Sequence, residues 1–359
     1  MKTLNVFEAS FDRLRSVFSS FSNIIIPLSG GKDSGVVLNL VIKYLKKYRK
    51  IKNNIIVYHL DYELQYTKTD RFIFDILFEL KKVCSFDYYH ICMPFKAECS
   101  LSYGQSFFRP WELDKKDIWI RKLPKNSINI FNHNFDFWNE DLTDYDFNLL
   151  FLKWLYEKYS SNNSVVLSGF RLNELEEDYK DIFDKGVLKN QNLYLKKIYN
   201  DLYFSYLLYE WSLEDIWVAT FKYDFLYNQI YEDFYILGVD LKKMKEASSF
   251  NSNVLFLLKY LKQVDPFLWE RANKRVSGVE FATLFYETKA FGNDDFLPRG
   301  YNYLKYLNFL LNSLDEDLRN NFLSKFKILF SKGINLTFKQ KCEMILRYEY
   351  NKKYKSQNS

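Results

Sequence analysis

The residues best suited to chemistry in this chain stand together as Ser29-Gly30-Gly31-Lys32-Asp33-Ser34. Two adjacent glycines let a backbone pass close to a ligand and adopt positive φ. The amides of a first helical turn, with the positive end of the helix dipole, make a seat for phosphate. Ser29 and Ser34 supply hydroxyl donors, Lys32 a positive charge, and Asp33 a carboxylate that suits Mg²⁺. The set fits a polyphosphate. No glycine stands five residues before Gly31, so the spacing departs from a Walker A loop and disfavours a kinase or GTPase. Further along, Gly169-Phe170-Arg171-Leu172-Asn173-Glu174 places an arginine, whose planar fork matches phosphate oxygens, just past a second apolar run.

Such residues need elements to position them. Ile24-Ile25-Ile26 reads as a strand running into the loop, after which Val36, Val37, Leu40, Val41 and Tyr44 repeat at helical spacing. Asn54 to Asp61 reads as a second strand, which makes a βαβ unit and a parallel sheet with a right-handed crossover. Ligands of such sheets bind at the carboxyl ends of the strands. Asp61 therefore shares an edge with Gly30 and Gly31, where it either accepts from a ribose or base donor or closes a turn. The pattern adds helices over Asn5 to Phe21, Thr67 to Cys84 and Asp144 to Tyr159, and strands over Phe86 to Met93, Ser164 to Ser168 and Leu202 to Tyr209. The expected architecture is α/β: a parallel-sheet domain over residues 1–222 and a mostly helical domain over 223–359, with breaks near Gly292 to Gly300 and at Gly333.

Ser29-Gly30-Gly31-Lys32-Asp33-Ser34 resembles the S-G-G-x-D-S signature of the PP-loop ATP pyrophosphatase superfamily, which splits ATP between its α and β phosphates and adenylates a substrate. Asp61-Tyr62-Glu63-Leu64-Gln65-Tyr66-Thr67 is similar to the segment after the second strand in the phosphoadenosine phosphosulfate (PAPS) reductase-like branch, particularly its IbrA-like subgroup. Phe107-Phe108-Arg109-Pro110-Trp111 and Trp119-Ile120-Arg121-Lys122-Leu123-Pro124 also resemble that subgroup. There Arg109, Arg121 and Lys122 either grip anions beside Trp111 and Trp119 or belong to a loop packed by its own aromatics. Gly169 to Glu174 resembles a Gly-hydrophobic-Arg-x-x-Glu-Ser element, with Leu175 in place of the serine. Tyr209-Glu210-Trp211-Ser212-Leu213-Glu214-Asp215-Ile216-Trp217 is similar to another family element, and Ser212 with Asp215 reads locally as a capping box.

The resemblance covers about Asn23 to Phe285 and implies an adenine nucleotide α-hydrolase-like fold. It implies ATP, or PAPS, held with Mg²⁺ by Ser29, Gly30, Gly31, Lys32, Ser34, Asp61, Gly169, Arg171 and Glu174. Lys32, Asp33 and Arg171 would be catalytic, and Asp33 the metal ligand. The Glu-Cys-Gly-x-His element of sulfonucleotide reductases is absent. The implied function is thus ATP cleavage with adenylylation of an acceptor, without PAPS reduction. The alternative implied is a nucleotide- or PAPS-binding regulatory subunit that acts with a ParB-like partner and has no turnover alone.

With 48% apolar and 19% aromatic residues the chain is a globular protein, not a disordered one. No apolar run has the length of a membrane span and the first ten residues lack a secretion signal, so a cytoplasmic protein without membrane attachment is expected. Four cysteines in 359 residues suggest free thiols, and the absence of a C-x₂-C pair near His90 or His133 disfavours zinc. Residues 301–359 hold 11 Lys and Arg against 5 Asp and Glu, which is the whole net charge of +6. That basic end is either a solvated helix face or a contact for nucleic acid or an acidic partner.

Overall fold

The computed structural model describes residues 5–48, 51–102, 105–159, 163–174, 186–190, 193–246, 250–252, 254–285, 300–331 and 336–346. At its centre is β1 (Asn23–Pro27), whose isoleucines alternate between two cores. Ile24 and Ile26 enter one and Ile25 the other. A β-branched run buried on both faces is what a central parallel strand requires.

β1 is flanked by β2 (Asn54–Leu60) and β7 (Ser164–Ser168), both parallel to it. β3 (Asp87–Cys92) and the short β6 (Ile128–Asn129) continue beyond β2, and β10 (Leu202–Tyr206) lies parallel beyond β7. β9 (Leu193–Tyr199) and β8 (Leu188–Asn190) finish the sheet as an antiparallel edge, giving the order β6-β3-β2-β1-β7-β10-β9-β8. The order reverses between β1 and β7, the switch point where open parallel sheets leave a crevice. Residues 202–209 were expected to be strand throughout, but pairing stops at Tyr206. There the Leu207 carbonyl turns to accept from Ser10 Oγ and Arg13 Nη1, each at 3.0 Å.

α1 (Val6–Ser20), α2 (Lys32–Lys47), α3 (Thr67–Lys81) and α5 (Leu213–Lys222) bury their apolar faces in the core of Ile24 and Ile26. α4 (Asp144–Lys158) closes the other face through Phe147, Phe151 and Leu155. Ser212 caps α5 in a complete capping box with Asp215, and the Trp211 indole donates to Ser10 Oγ at 2.9 Å. The Glu210 to Trp217 element therefore works as a brace that ties α5 to α1.

The chain divides into two compact units. The first comprises residues 1–97, 109–249 and 260–275, and it holds the eight-stranded sheet, α6 (Ile230–Ile236), most of α7 (Leu258–Val264) and α8 (Pro266–Arg275). The second comprises residues 98–108, 250–259 and 276–359. Its helices include α9 (Val279–Phe285), α10 (Tyr303–Ser313), α11 (Glu316–Ser331) and α12 (Phe338–Leu346), with Leu307, Phe322, Cys342 and Ile345 in a small core. Its basic tail, Lys352, Lys353 and Lys355, lies outside the described residues. No helix among the described residues is long and apolar enough to cross a membrane.

Candidate functional site

The Ser29–Ser34 loop leaves β1 at its carboxyl end and opens directly into α2, whose N-cap is Gly31 with no side-chain cap. Gly30 takes φ +86°, and a Cβ there would come within 2.4 Å of Thr69 Cγ2, so both conformation and space call for glycine. Ser29 Oγ and Ser34 Oγ lie 3.0 Å apart, and Ser34 Oγ donates to the Gly31 carbonyl at 3.1 Å. The two hydroxyls and the first-turn amides thus gather at one helix start, the chemistry that seats phosphate, although the Ser29 and Gly31 N–H groups already donate to these hydroxyls.

The second segment meets the first here. A Cβ on Gly169 would stand 3.1 Å from the Asp33 carbonyl carbon, so glycine permits the close approach of the turn after β7. Arg171 Nε donates to Asp33 Oδ1 at 2.7 Å and its Nη2 to Glu174 Oε1 at 2.9 Å, with 6% of the arginine side chain exposed. Lys32 Nζ sits 3.4 Å from the other Asp33 oxygen. Lys32, Asp33, Arg171 and Glu174 are therefore one alternating charge cluster beside the loop. Asp33 and Glu174 are both partly exposed, but both Asp33 oxygens already face Arg171 and Lys32, so a Mg²⁺ ion here would share Asp33 with those cations and take most of its ligands from the phosphates of its substrate. Residue Leu175 lies outside the described residues.

Asp61 is not brought to this cluster. It is fully buried, and its carboxylate accepts from Arg121 Nη2 at 2.6 and 2.7 Å and from His90 Nε2 at 2.9 Å. Burial alone would raise its pKa, but Arg121 and His90 overcome that and hold the carboxyl well below the usual carboxylate range. Oδ1 also accepts the Glu63 N–H, so of the two readings open in the sequence the turn-closing one is what the contacts display. His59, Asp61 and His90 approach within 4.8 Å as a metal-like trio. Asp61 is already committed to a guanidinium, and His59 uses its nitrogens on the Leu28 carbonyl and Gln65 Oε1 at 2.7 and 2.9 Å, so the donor set does not fit a divalent cation.

The aromatic-arginine stretch likewise packs inward. Trp111 and Trp119 are buried against each other at 5.5 Å between ring centroids, and Arg109 donates to the carbonyls of Pro94 and Glu140. All four cysteines are free thiols. Burial pushes those of Cys84 and Cys99 up to about 11, away from the reactive thiolate.

Sequence reasoning missed what holds the loop from behind. Asn228 Nδ2 donates to the Gly30 carbonyl at 3.0 Å, Tyr231 Oη accepts the Lys32 N–H at 3.0 Å, and Lys32 Nζ donates to the Met244 carbonyl at 3.0 Å. Glu246 accepts from Thr69 Oγ1 at 3.1 Å, and its Cβ would lie 3.6 Å from a Cβ on Gly31. The separation in sequence, about two hundred residues, hid these contacts; Asn228 and Tyr231 stood out only within a segment, Tyr227 to Tyr231, that resembles the IbrA-like subgroup.

Burial pushes the Glu246 carboxyl up to about 8, against the Thr69 hydrogen bond and with help from the nearby Asp70 charge. Between about pH 4.5 and 8 the folded protein then keeps a proton that the unfolded chain has released, so stability falls as pH rises through that window. Glu246→Gln is expected to flatten this slope and to be more stable than wild type at pH 8.5, by up to about 4–5 kcal/mol. Urea titrations at pH 5 and 8.5 check it; equal slopes in the two proteins would show that Glu246 does not carry the proton.

Beside the loop, on the α4 face of the sheet, lies a cavity of about 390 Å³. Ser29 from the loop, Leu60 and Tyr62 after β2, Ser168 at the end of β7, and Asp144 and Asn148 of α4 line it. Aromatic Tyr58, Tyr62, Tyr145 and Phe204 line it together with a few polar groups, the general composition of a small-molecule site. None of its α4 residues was singled out by sequence pattern.

Fold and loop together define a mostly parallel α/β protein whose Ser-Gly-Gly-Lys-Asp-Ser turn occupies the switch point, followed by helical segments. Among curated proteins the chain is similar to the uncharacterised protein YbdN of Escherichia coli (strain K12), at 25% identity over 346 residues, 93% of this chain and 82% of that protein. Residues 238–335 match a family model described as a domain of unknown function, DUF3440. Among solved structures, a phosphoadenylyl-sulfate (PAPS) reductase from Candida auris, a phosphate complex, aligns with TM-score 0.34 and 13% identity over 64% of this chain and 85% of that one. The U34-tRNA thiolase NcsA from Methanococcus maripaludis, with its 4Fe–4S cluster, aligns with TM-score 0.34 and 14% identity over 77% of this chain and 79% of that one.

Proposed function

We propose that this chain is a PP-loop protein of the PAPS reductase-like branch that binds ATP at the Ser29–Ser34 loop and cleaves it between the α and β phosphates, adenylylating an acceptor. The observation that carries this reading is the meeting of the loop with Arg171 from the neighbouring strand end, next to a cavity of about 390 Å³. The cavity takes the nucleoside, and the loop amides with Ser29, Ser34 and Lys32 take the β and γ phosphates. An acceptor nucleophile attacks the α phosphorus in line, the bond from that phosphorus to the bridging oxygen breaks, and pyrophosphate leaves with the electron pair. Arg171, already oriented by Asp33 and Glu174, neutralises charge that grows on the α phosphate and the leaving group. Asp33 would hold Mg²⁺, which would supply charge neutralisation at the phosphates. The reading contains no sulfur reduction.

The test is product analysis with ATP and Mg²⁺ in the presence of size-fractionated cell extract as acceptor source. Pyrophosphate and an adenylylated product are expected, whereas orthophosphate and ADP, or no turnover by protein that binds ATP, would overturn the cleavage step. A second reading, an IbrA-like nucleotide-binding subunit that needs a ParB-like partner, is favoured by the hold of Tyr231 and Met244 on Lys32, which leaves the loop amide and ammonium engaged by the chain itself. Under that reading turnover appears only when the partner is added.

A further inference from the structure

We propose that Asp144 and Asn148, one turn apart at the start of α4, read the base in the cavity and select adenine over 6-oxopurines. The inference rests on the cavity being the nucleoside site, and it adds which side chains decide the base. Both residues line the cavity. On a helix, residues at i and i+4 stand about 5–6 Å apart at Cβ, close enough to address neighbouring atoms of one heterocycle edge.

Two tyrosines fix the polarity of this pair. Tyr58 Oη donates to Asn148 Oδ1 at 2.8 Å, which commits the amide oxygen and leaves Nδ2, a donor, as the polar group this cavity-lining side chain has to offer. Tyr62 Oη donates to Asp144 Oδ2 at 3.0 Å, and the Tyr145 N–H donates to Oδ1 at 2.9 Å, so both Asp144 oxygens act as acceptors. Burial raises the pKa of both phenols, so each remains a donor at neutral pH.

An acceptor beside a donor is the complement of adenine. Its N6 amine donates to Asp144 and its N1 accepts from Asn148. Hypoxanthine and guanine reverse both positions, with a carbonyl oxygen at C6 and an N–H at N1. They would set oxygen against carboxylate and N–H against amide N–H. Unmatched polar groups inside a site discriminate more strongly than lost apolar contact.

The experiment is calorimetric titration of wild type, Asp144→Asn/Asn148→Asp and Tyr58→Phe with ATP and ITP. Wild type is expected to prefer ATP by at least about tenfold. The double variant, isosteric at both positions, is expected to reverse the preference. Tyr58→Phe lets the Asn148 amide rotate and is expected to narrow the ratio while the protein stays folded by circular dichroism. Equal binding of ATP and ITP by wild type, or an ATP preference unchanged in both variants, overturns the assignment while leaving a nucleotide site in place. Binding of neither nucleotide by folded wild type overturns the site reading itself, and this inference with it.

Discussion

Arg275→Met is expected to destabilise the protein by about 3–5 kcal/mol, because it strands a carboxylate that has no access to water. Glu63 is fully buried and Arg275 is 5% exposed, and the guanidinium donates to Glu63 Oε1 at 3.0 Å and Oε2 at 3.3 Å. The same carboxylate accepts the N–H of Trp111 at 2.6 Å and of Ile120 at 2.9 Å, so it organises the loop after β5 (Gln105–Phe108) as well as α8. Burial raises the Glu63 pKa more than Arg275 and these two N–H groups lower it. Glu63→Gln keeps the backbone at φ +68° with a side chain of the same size, which confines the change to charge and donor pattern. It puts an amide N–H near two backbone donors and also leaves Arg275 without its full charge partner. Urea denaturation of both single variants and the double variant checks the pair. The double variant is expected to be less destabilised than the sum of the singles, since each single mutation strands the other group. Strict additivity would mean that the two residues contribute separately.

Arg171→Met is expected to slow pyrophosphate release by about 10²–10³-fold, the range for removing one preorganised donor from developing oxyanion charge. Its effect on ATP affinity is expected to be smaller, because in the proposed site the β and γ phosphates fall to the loop amides and Lys32. The arginine is already oriented, with Nε on Asp33 and Nη2 on Glu174, so no conformational search precedes its use. Arg171→Lys keeps the charge but loses the fork, and should fall between the two. Single-turnover measurements separate binding from cleavage. A loss confined to affinity, with an unchanged single-turnover rate, would make Arg171 a binding group only.

What could be read from the sequence was what is local. β1, the loop and α2 are consecutive, and the switch from an unbroken β-branched run to helical spacing at Val36 marks their junction. Ser164 to Ser168 and the Gly169–Arg171 turn were legible for the same reason. The antiparallel edge was not, because β9 is half exposed and carries Lys196 and Lys197 in mid-strand, which blurs a period-two pattern. Asp61 was legible as a strand-end carboxylate, but its partner Arg121 is 60 residues away, and no spacing rule anticipates such a pair. Glu246 beside Gly31, and Asp144 and Asn148 in the cavity wall, depend on which helix face meets which strand end, a matter of three-dimensional packing.

The most direct test of the nucleotide-loop reading is titration of wild type and Lys32→Ala with ATP and with PAPS, each with Mg²⁺, after circular dichroism has shown both proteins folded. Wild type is expected to bind ATP more tightly than PAPS, and the variant to lose at least about tenfold in ATP affinity with its fold intact. Equal ATP affinity in the two proteins, or no binding of either nucleotide to folded wild type, would contradict a phosphate site at Ser29–Ser34.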